Sequence, residues 1–221
     1  MTPVLQIFAK APVAGQCKTR LIPALGVQGA AQLHERLVRH QLATAQQWLR
    51  TTHAVSPTAH IELWCAPDAQ HPFFAACTQQ LDVTLHIQTG PGLGARMWLA
   101  LCSALAGGQR PVLIGTDCPC LNAVDISAAF AALDHADAVY APAHDGGYVL
   151  TGLARAVPEL FANIAWGTAR VMAATRAAAR RTRRPARLAQ LRTLHDVDTP
   201  ADLARLKNDP SLAHLLEGLV K

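Results

Sequence analysis

The sequence predicts a three-layer α/β/α fold built around a mainly parallel, mixed sheet. Short β-rich runs alternate with longer amphipathic patterns along the chain, which is the order that βαβ units produce. Apolar residues make up 51% and charged residues 16% of the 221 positions, so both faces of a sheet can be covered. We expect one domain over residues 1–221.

The strands are predicted from short runs of β-branched and apolar residues. They are expected at residues 4–9, 61–65, 83–87, 111–115, 138–141 and 148–153. The last two runs are separated only by His144–Gly147, which is too short for a crossover helix. The sheet is therefore expected to contain one antiparallel element at this turn.

The helices are predicted where apolar residues recur at helical spacing. They are expected near residues 33–49, 73–74, 97–105, 122–133, 168–180 and 200–207, and residues 10–26 are expected to form a loop. Thr199, Pro200 and Asp202 form a capping-box start for the last helix, and Asn122 with Asp125 forms a similar one.

Charge and cysteine usage narrow the class of protein. The formal charge is +5, and six arginines lie between residues 176 and 187. A solvated helix end explains them better than a nucleic-acid site, so no nucleic-acid partner is expected. The six cysteines lack CxxC pairs, and no export signal or membrane-spanning run is evident, which predicts a cytoplasmic protein with reduced thiols.

Ligands in open α/β sheets bind beyond the carboxyl ends of the strands, so polar segments that follow strands are the candidate sites. Lys10–Arg20 places three cations and the turn residue Gly15 after the first strand, which suits a polyphosphate. Cys17 precedes Lys18 where a Walker loop has glycine, so that motif is excluded. An ordinary surface loop is the alternative.

Two glycine-rich turns are further candidates. Gly90–Arg96 opens a helix and could approach a ligand, although a turn that needs positive φ explains its glycines equally well. In Asp145–Tyr148 the glycines allow close approach of a substrate. The Asp145 carboxylate can bind a hydroxyl group, bind a metal ion or act as a base. A simple hairpin turn is the alternative.

Two carboxylates are candidate metal ligands. Asp117 follows the predicted central strand and offers the hard oxygen that Mg²⁺ or Mn²⁺ prefers while bridging phosphates. The alternative is that Asp117 only starts a turn before Pro119 and has no role in metal binding. Asp198 could complete the site, or it could satisfy the dipole of the helix that follows. Trp166 is either a core residue or a stacking platform.

Read in order, five stretches resemble the radical SAM/selenodomain-associated transferase family of the nucleotide-diphospho-sugar transferase (glycosyltransferase A-type) superfamily. They are Phe8–Leu21, Gly115–Pro119, Pro142–Tyr148, Trp166–Thr168 and Asp196–Pro200. The resemblance implies a glycosyltransferase A-type fold, a nucleotide pocket built from the first loop, and Asp117 as the metal-binding carboxylate. It also links the chain to guanylyltransferases for molybdopterin and phospholactate.

The chain departs from this family at three positions. Gly92, Ala95 and Cys120 stand where the family tends to carry acidic residues, and no DxD pair follows the central strand. These departures favour Asp117 over any second carboxylate in the same segment.

We therefore predict a metal-dependent transferase with a nucleotide or nucleotide-sugar donor and a small-molecule acceptor. The predicted catalytic residues are Asp145, Lys18 and Arg20. The predicted nucleotide-binding residues are Ala9, Lys10, Gly15, Lys18, Gly92, Gly94, Arg96 and Thr116. Asp117 and Asp198 are predicted to bind Mg²⁺ or Mn²⁺, and the predicted acceptor contacts are Gly146, Gly147, Tyr148 and Trp166.

Two alternatives stay open at this point. The same residues could transfer a nucleotidylyl group from a nucleoside triphosphate, with pyrophosphate as the leaving group. The missing acidic residues would also fit a nucleotide-binding module without turnover. The base, the sugar, the acceptor and the oligomeric state are not indicated by the sequence.

Overall fold

The computed structural model describes residues 1–219, and within them seven strands form one sheet. The strands are β1 (Thr2–Lys10), β2 (His60–Ala66), β3 (Thr84–Ile87), β4 (Gln109–Ile114), β5 (Ala138–Pro142), β6 (Tyr148–Leu153) and β7 (Leu188–Gln190). Their order is β3-β2-β1-β4-β6-β5-β7. The strand order reverses between β1 and β4, and ligand sites of open sheets form at such a reversal.

The sheet is mixed, as predicted. β1 runs parallel to β2 and β4, β2 runs parallel to β3, and β5 runs parallel to β7. β6 is antiparallel to both β4 and β5, which confirms the antiparallel element at the Asp145–Gly147 turn. The short edge strand β7 was not predicted, because three residues carry too little periodicity to be recognised.

Six α-helices surround the sheet in the described part of the chain. They are α1 (Ile22–Thr52), α2 (Pro72–Gln80), α3 (Leu93–Ala106), α4 (Ala123–Ala132), α5 (Val171–Arg181) and α6 (Pro200–Asn208). Both predicted capping boxes are present: Asn122 and Asp125 start α4, and Thr199 and Asp202 start α6. Each box satisfies backbone N–H groups that a helix end leaves without partners.

The start of α1 differs from the prediction. Residues 10–26 were expected to form a loop, but α1 already begins at Ile22 and bends at Gly26, whose φ is 71°. Pro23 was taken as a loop signal, yet it lies in the first turn of the helix, where a proline costs no hydrogen bond.

Two apolar layers enclose the sheet, which gives the predicted three-layer architecture. On one face α1, α2 and α4 supply core side chains that include Trp48, Phe74 and Ile126. On the other face α3 and α5 supply Met97, Leu101 and Met172, among others. The sheet is therefore covered on both faces, and the edge formed by the carboxyl ends of its parallel strands remains open to a ligand.

None of the helices between residues 1 and 219 combines the length and the apolar character needed to cross a membrane.

Candidate functional site

A cleft opens at the carboxyl ends of β1 and β4. It consists of two adjoining cavities of about 520 and about 490 Å³. The residues that line both cavities are Lys10, His34, Leu93, Met97, Asp117, Tyr148 and Asp196. Cavities of this size accommodate ligands of nucleotide dimensions, and their position is the one expected at a strand-order reversal.

Lys18 lies at the centre of the charged part of the cleft. Its Nζ is 2.7 Å from Asp117 Oδ1 and 2.8 Å from Asp198 Oδ1, and it donates to the carbonyl oxygen of Val197 at 2.6 Å. The side chain is only 4% exposed, and its backbone is left-handed with φ of 47°. An ammonium group has three donors, so these three acceptors account for all of them.

Burial alone would lower the pKa of Lys18, but the carboxylates of Asp117 and Asp198 raise it above its usual value. The lysine therefore stays charged while it joins the two carboxylates that were predicted as metal ligands. Sequence analysis had placed the three residues in one site, and the structure brings them into direct contact.

Backbone hydrogen bonds hold the segment 194–198 against the ends of two strands. Val197 N donates to Asp117 O at 2.8 Å, beyond β4. Leu194 N donates to Pro142 O at 2.9 Å, at the end of β5. These bonds place Asp196 and Asp198 at the cleft although they lie far from Asp117 in the sequence.

Asp196 lies in a crowded acidic region. Burial and the negative charges of Asp145 and Asp198 raise the pKa of Asp196 to about 6. Lys18 compensates Asp117 and Asp198, while Asp145 and Asp196 have no ion-pair partner in the described part of the chain. The acidic side of the cleft therefore carries excess negative charge at neutral pH, which a bound cation would relieve.

This crowding predicts that Asp196→Asn stabilises the protein at pH 7.5. The pKa of Asp196 is raised on folding from 3.8 to about 6, so the folded state binds more protons between these values and its stability falls as pH rises through them. The asparagine variant should lack this loss. Urea denaturation at pH 4 and pH 7.5 measures the difference. If both proteins lost the same unfolding free energy between pH 4 and pH 7.5, the raised pKa of Asp196 would not be the cause.

Asp117 and Asp198 fit a divalent cation only if substrate oxygens and water complete its coordination. Within residues 1–219 no group of three His, Cys, Asp or Glu side chains is arranged to hold a metal ion. However, the side chains of Asp117 and Asp198 are 47% and 39% exposed, so each presents carboxylate surface to the cleft besides its contact with Lys18. Mg²⁺ often binds through one or two carboxylates plus phosphate oxygens.

The turn between β5 and β6 forms one wall of the second cavity. Asp145 Oδ1 accepts a hydrogen bond from Gly147 N at 2.8 Å, so one of its oxygens shapes the turn. Gly146 has φ of 92°, and a Cβ at this position would lie 2.1 Å from the carbonyl oxygen of Ala169. Close backbone contact with residue 169 is therefore the reason for this glycine.

The start of α3 and Trp166 form another part of the cavity wall. A Cβ on Gly94 would lie 2.1 Å from Trp166 Nε1, so the indole packs directly on the helix backbone. Trp166 also contacts Tyr148 edge-on, with ring centroids 6.0 Å apart, and lies beside Phe161. Trp166 packs on an apolar cluster and also lines the cleft, and a role as a stacking platform for a ligand stays a prediction.

Most of the predicted site residues line the cleft. The first cavity is lined by Ala9, Lys10, Arg96, Thr116, Asp117 and Tyr148. The second is lined by Lys10, Lys18, Arg20, Asp117, Asp145, Gly147, Tyr148, Trp166 and Asp198. Neither lining includes Gly15, Gly92, Gly94 or Gly146. Gly15, Gly92 and Gly146 lie in turns or bends, and Gly94 lies in the first turn of α3. A direct ligand contact at these four glycines stays a prediction.

The lining residues that had not been singled out in the sequence include Gln88, His34 and Asp196. Gln88 donates to the carbonyl oxygens of Ala9 and Trp64, which fixes its amide at the first cavity. His34 projects from α1 and lies 2.9 Å from Lys10 O, and Asp196 was named only as part of a motif. Gln88 directly follows a predicted strand, a signal that could have identified it, whereas His34 lies mid-helix and carries no such signal.

Comparison with known proteins gives a family and a fold. The family described as "Uncharacterized protein conserved in bacteria (DUF2064)" matches residues 44–168. No curated protein matches the chain. A solved structure from Desulfovibrio desulfuricans G20, named "putative nucleotide-diphospho-sugar transferase", is 30% identical, with 99% of this chain and 97% of that chain covered and a TM-score of 0.81.

More distant structures share the fold. The 4-diphosphocytidyl-2C-methyl-D-erythritol synthase of Anaerococcus prevotii DSM 20548 is 11% identical over 91% of this chain and 94% of its own, with a TM-score of 0.56. CMP:2-keto-3-deoxy-manno-octonic acid synthetase, complexed with CTP, is 11% identical over 94% of this chain and 97% of its own, with a TM-score of 0.55. The predicted fold class is thereby confirmed.

Proposed function

We propose that this chain, which belongs to the DUF2064 family, is a transferase that uses a nucleotide-activated donor, with a nucleotide-sugar as the leading donor class. The 30% identical structure carries a name of the same class. The association with radical SAM and selenodomain proteins that the sequence motifs suggest stays a prediction, as does a cytoplasmic location.

One observation carries the proposal. The Lys18 ammonium joins Asp117 and Asp198 at 2.7 and 2.8 Å, directly beyond the strand-order reversal of the sheet. A cationic loop and an acidic segment therefore meet at one cleft, as recognition of a metal-bound diphosphate requires.

The residues of the cleft divide the proposed chemistry between them. Lys10, Lys18 and Arg20 stabilise negative charge on the phosphates and on the leaving group. Asp145, beside the second cavity, orients the acceptor hydroxyl or removes its proton. Tyr148 and Trp166 provide an apolar wall against which the acceptor packs, and Gly146 and Gly147 keep the turn close to it.

Mg²⁺ or Mn²⁺ would be held by the outward carboxylate surface of Asp117 and Asp198, and it would supply positive charge at the diphosphate. Lys18 keeps these two carboxylates together before any ligand is present. A phosphate oxygen could take over the carboxylate contacts of the lysine, because both groups accept hydrogen bonds from ammonium.

Nucleotidylyl transfer is the second candidate, because the fold neighbours include a cytidylyl-type synthetase complexed with CTP. The same cations would then bind a triphosphate, and the acceptor would attack the α-phosphorus. The products separate the two reactions: pyrophosphate leaves in nucleotidylyl transfer, whereas a nucleoside diphosphate leaves in sugar transfer. Binding without either product from a broad acceptor panel would favour a module without turnover.

Asp117→Asn tests the proposal. We expect wild-type protein to gain thermal stability from a nucleotide or nucleotide-sugar with Mn²⁺, by about 2.7 kcal/mol at one hundred times the dissociation constant. The asparagine removes the charge that binds the cation and Lys18, so affinity measured by calorimetry should fall at least tenfold.

Asp82→Asn provides the control, because Asp82 is an exposed carboxylate remote from the residues of the cleft. This variant should bind as wild type does. Unchanged metal-dependent nucleotide binding by the Asp117 variant would remove the basis of the proposed site, and a wild-type protein that binds no nucleotide would contradict the proposed function.

A further inference from the structure

Two cysteine side chains lie in contact beside the cleft. Cys118 and Cys120 follow Asp117 in a tight turn, in which Leu121 N donates to Cys118 O at 3.2 Å. Their Sγ atoms are 3.5 Å apart, and both thiols are free. The sulfurs of a disulfide are about 2.0 Å apart, so a relative shift of about 1.5 Å would join them.

The two thiols differ in their access to solvent. Cys118 is only 2% exposed and packs in the core cluster that also holds Ile114 and Ile126. Cys120 is half-buried and lines a third cavity, of about 130 Å³, which is also bounded by residues 195–197. A water molecule takes up about 30 Å³ of the liquid, so this cavity can admit a molecule as small as hydrogen peroxide. Cys120 is therefore the thiol that a small oxidant reaches first.

The surroundings of Cys120 favour its thiolate, which is the reactive form of a cysteine. The hydrogen bond from Cys118 lowers the pKa of Cys120; burial opposes this effect, and the positive charge of Arg192 supports it. Cys102 is the other half-buried cysteine, and burial raises its pKa. Of the two half-buried thiols, Cys120 is therefore the one expected to react with an oxidant.

Cys120 contacts the chain segment that leads to Asp196 and Asp198 at two points. In its thiol form, Cys120 donates through Sγ to the carbonyl oxygen of His195 at 3.3 Å. Its own carbonyl oxygen accepts a hydrogen bond from Arg192 Nη2 at 2.9 Å. A movement of Cys120 is therefore transmitted to the acidic side of the cleft.

Cys118 is held more firmly than Cys120. Its carbonyl oxygen accepts hydrogen bonds from Gln41 Nε2 and Leu121 N, and its side chain lies in the core. Closing the gap between the two sulfurs therefore moves Cys120 toward Cys118 and away from His195. Forming the S–S bond also removes the thiol proton that Cys120 donates to the His195 carbonyl oxygen.

We propose that Cys118 and Cys120 are a modification site: a peroxide oxidises Cys120 first, a reversible disulfide with Cys118 follows, and the disulfide loosens residues 194–198 at the cleft. This inference goes beyond the proposed function and does not depend on it. It concerns a feature of this chain in particular, since Cys120 stands where the resembled family tends to carry an acidic residue.

The oxidation takes two steps. The Cys120 thiolate attacks one oxygen of the peroxide and the O–O bond breaks, which leaves Cys120 as a sulfenic acid and releases hydroxide that takes up the proton lost from the Cys120 thiol. The Cys118 sulfur then attacks the Cys120 sulfur, the S–O bond breaks, and the hydroxyl group leaves as water with the Cys118 proton. The two sulfurs together lose the two electrons that the peroxide gains.

Treatment of the full chain with a slight excess of hydrogen peroxide at pH 7.5 tests the disulfide. Thiols are then counted in denaturant, and peptides are mapped by mass. Two of the six thiols should disappear, the peptide that contains Cys118 and Cys120 should lose the mass of two hydrogens, and dithiothreitol should restore both thiols. Cys120→Ser should form no disulfide at Cys118, whereas the matched control Cys102→Ser should lose two thiols as wild type does.

Hydrogen exchange measures the effect on the cleft without any nucleotide. Val197 N donates to Asp117 O, so its amide exchanges when the segment opens. Exchange in residues 194–198 should be roughly fivefold faster in oxidised than in reduced wild type, because the segment loses the hydrogen bond from Cys120. Residues 171–181 of α5 are the internal reference and should exchange at the same rate in both forms.

Three results would overturn the inference. Wild type could keep all six thiols, Cys120→Ser could lose two thiols as well, or oxidised Cys120 could carry a sulfinic acid without a bond to Cys118. A disulfide that forms but leaves exchange in residues 194–198 unchanged would overturn its coupling to the cleft. None of these measurements uses a nucleotide, so failure of this inference and failure of the proposed function are separate results.

Discussion

Replacing Lys18 with methionine should lower the free energy of unfolding by about 2 kcal/mol. Removing one partner of a buried ion pair commonly costs 3 to 5 kcal/mol, and the partial exposure of Asp117 and Asp198 reduces that figure here. The change leaves two carboxylates facing each other without a cation, and the Val197 carbonyl oxygen loses the ammonium as a donor. Urea denaturation at pH 7.5 measures the loss.

A double variant identifies the cause. Lys18→Met combined with Asp198→Asn removes one of the two uncompensated charges, so it should be more stable than Lys18→Met alone. Lys207→Met, at an exposed position near the end of α6, should change stability by less than about 0.5 kcal/mol. An unaltered unfolding free energy in the Lys18 variant would show that the ion pairs do not organise the cleft.

Replacing Gly146 with alanine should destabilise the protein by about 3 kcal/mol. The φ of 92° is unfavourable for any residue with a Cβ, and the added methyl group would lie 2.1 Å from the Ala169 carbonyl oxygen, which is backbone and cannot rotate away. Met172 N also donates to Gly146 O, so a shift of the turn would disturb the start of α5. Thermal and urea denaturation both report the effect.

Gly92→Ala is the matched control for this variant. Gly92 has an extended backbone with φ of −168°, and no atom lies within 4 Å of a Cβ built on it. Alanine should therefore be tolerated there within about 0.5 kcal/mol. If Gly146→Ala were equally well tolerated, this would contradict the close contact between Gly146 and the backbone of Ala169.

The order of strands and helices could be predicted because apolar residues form short continuous runs in the strands and recur at helical spacing in the helices. The β6 bounds were predicted without error at Tyr148–Leu153, and both capping boxes were recognised from four-residue motifs. The start of α1 was missed because a proline such as Pro23 is common both in loops and in the first turn of a helix. The edge strand β7 is defined by pairing with β5, which is not a local property.

The site could be predicted only in part. Lys18, Asp117 and Asp198 were recognised because polar residues after strands meet at one rim. Val197, whose carbonyl oxygen Lys18 contacts, lies 179 positions after Lys18 in the sequence. The contact between the three residues is set by tertiary structure, and no spacing in the sequence indicates it.

The tethering of residues 194–198 bears on how the protein matures on the ribosome. A nascent chain that has reached residue 190 already contains every strand of the sheet, yet it still lacks Asp196 and Asp198. At that stage Lys18 has Asp117 as its only carboxylate partner from the completed cleft. The cleft is therefore completed late in synthesis, and a product truncated before residue 194 would retain the sheet strands while lacking Asp196 and Asp198.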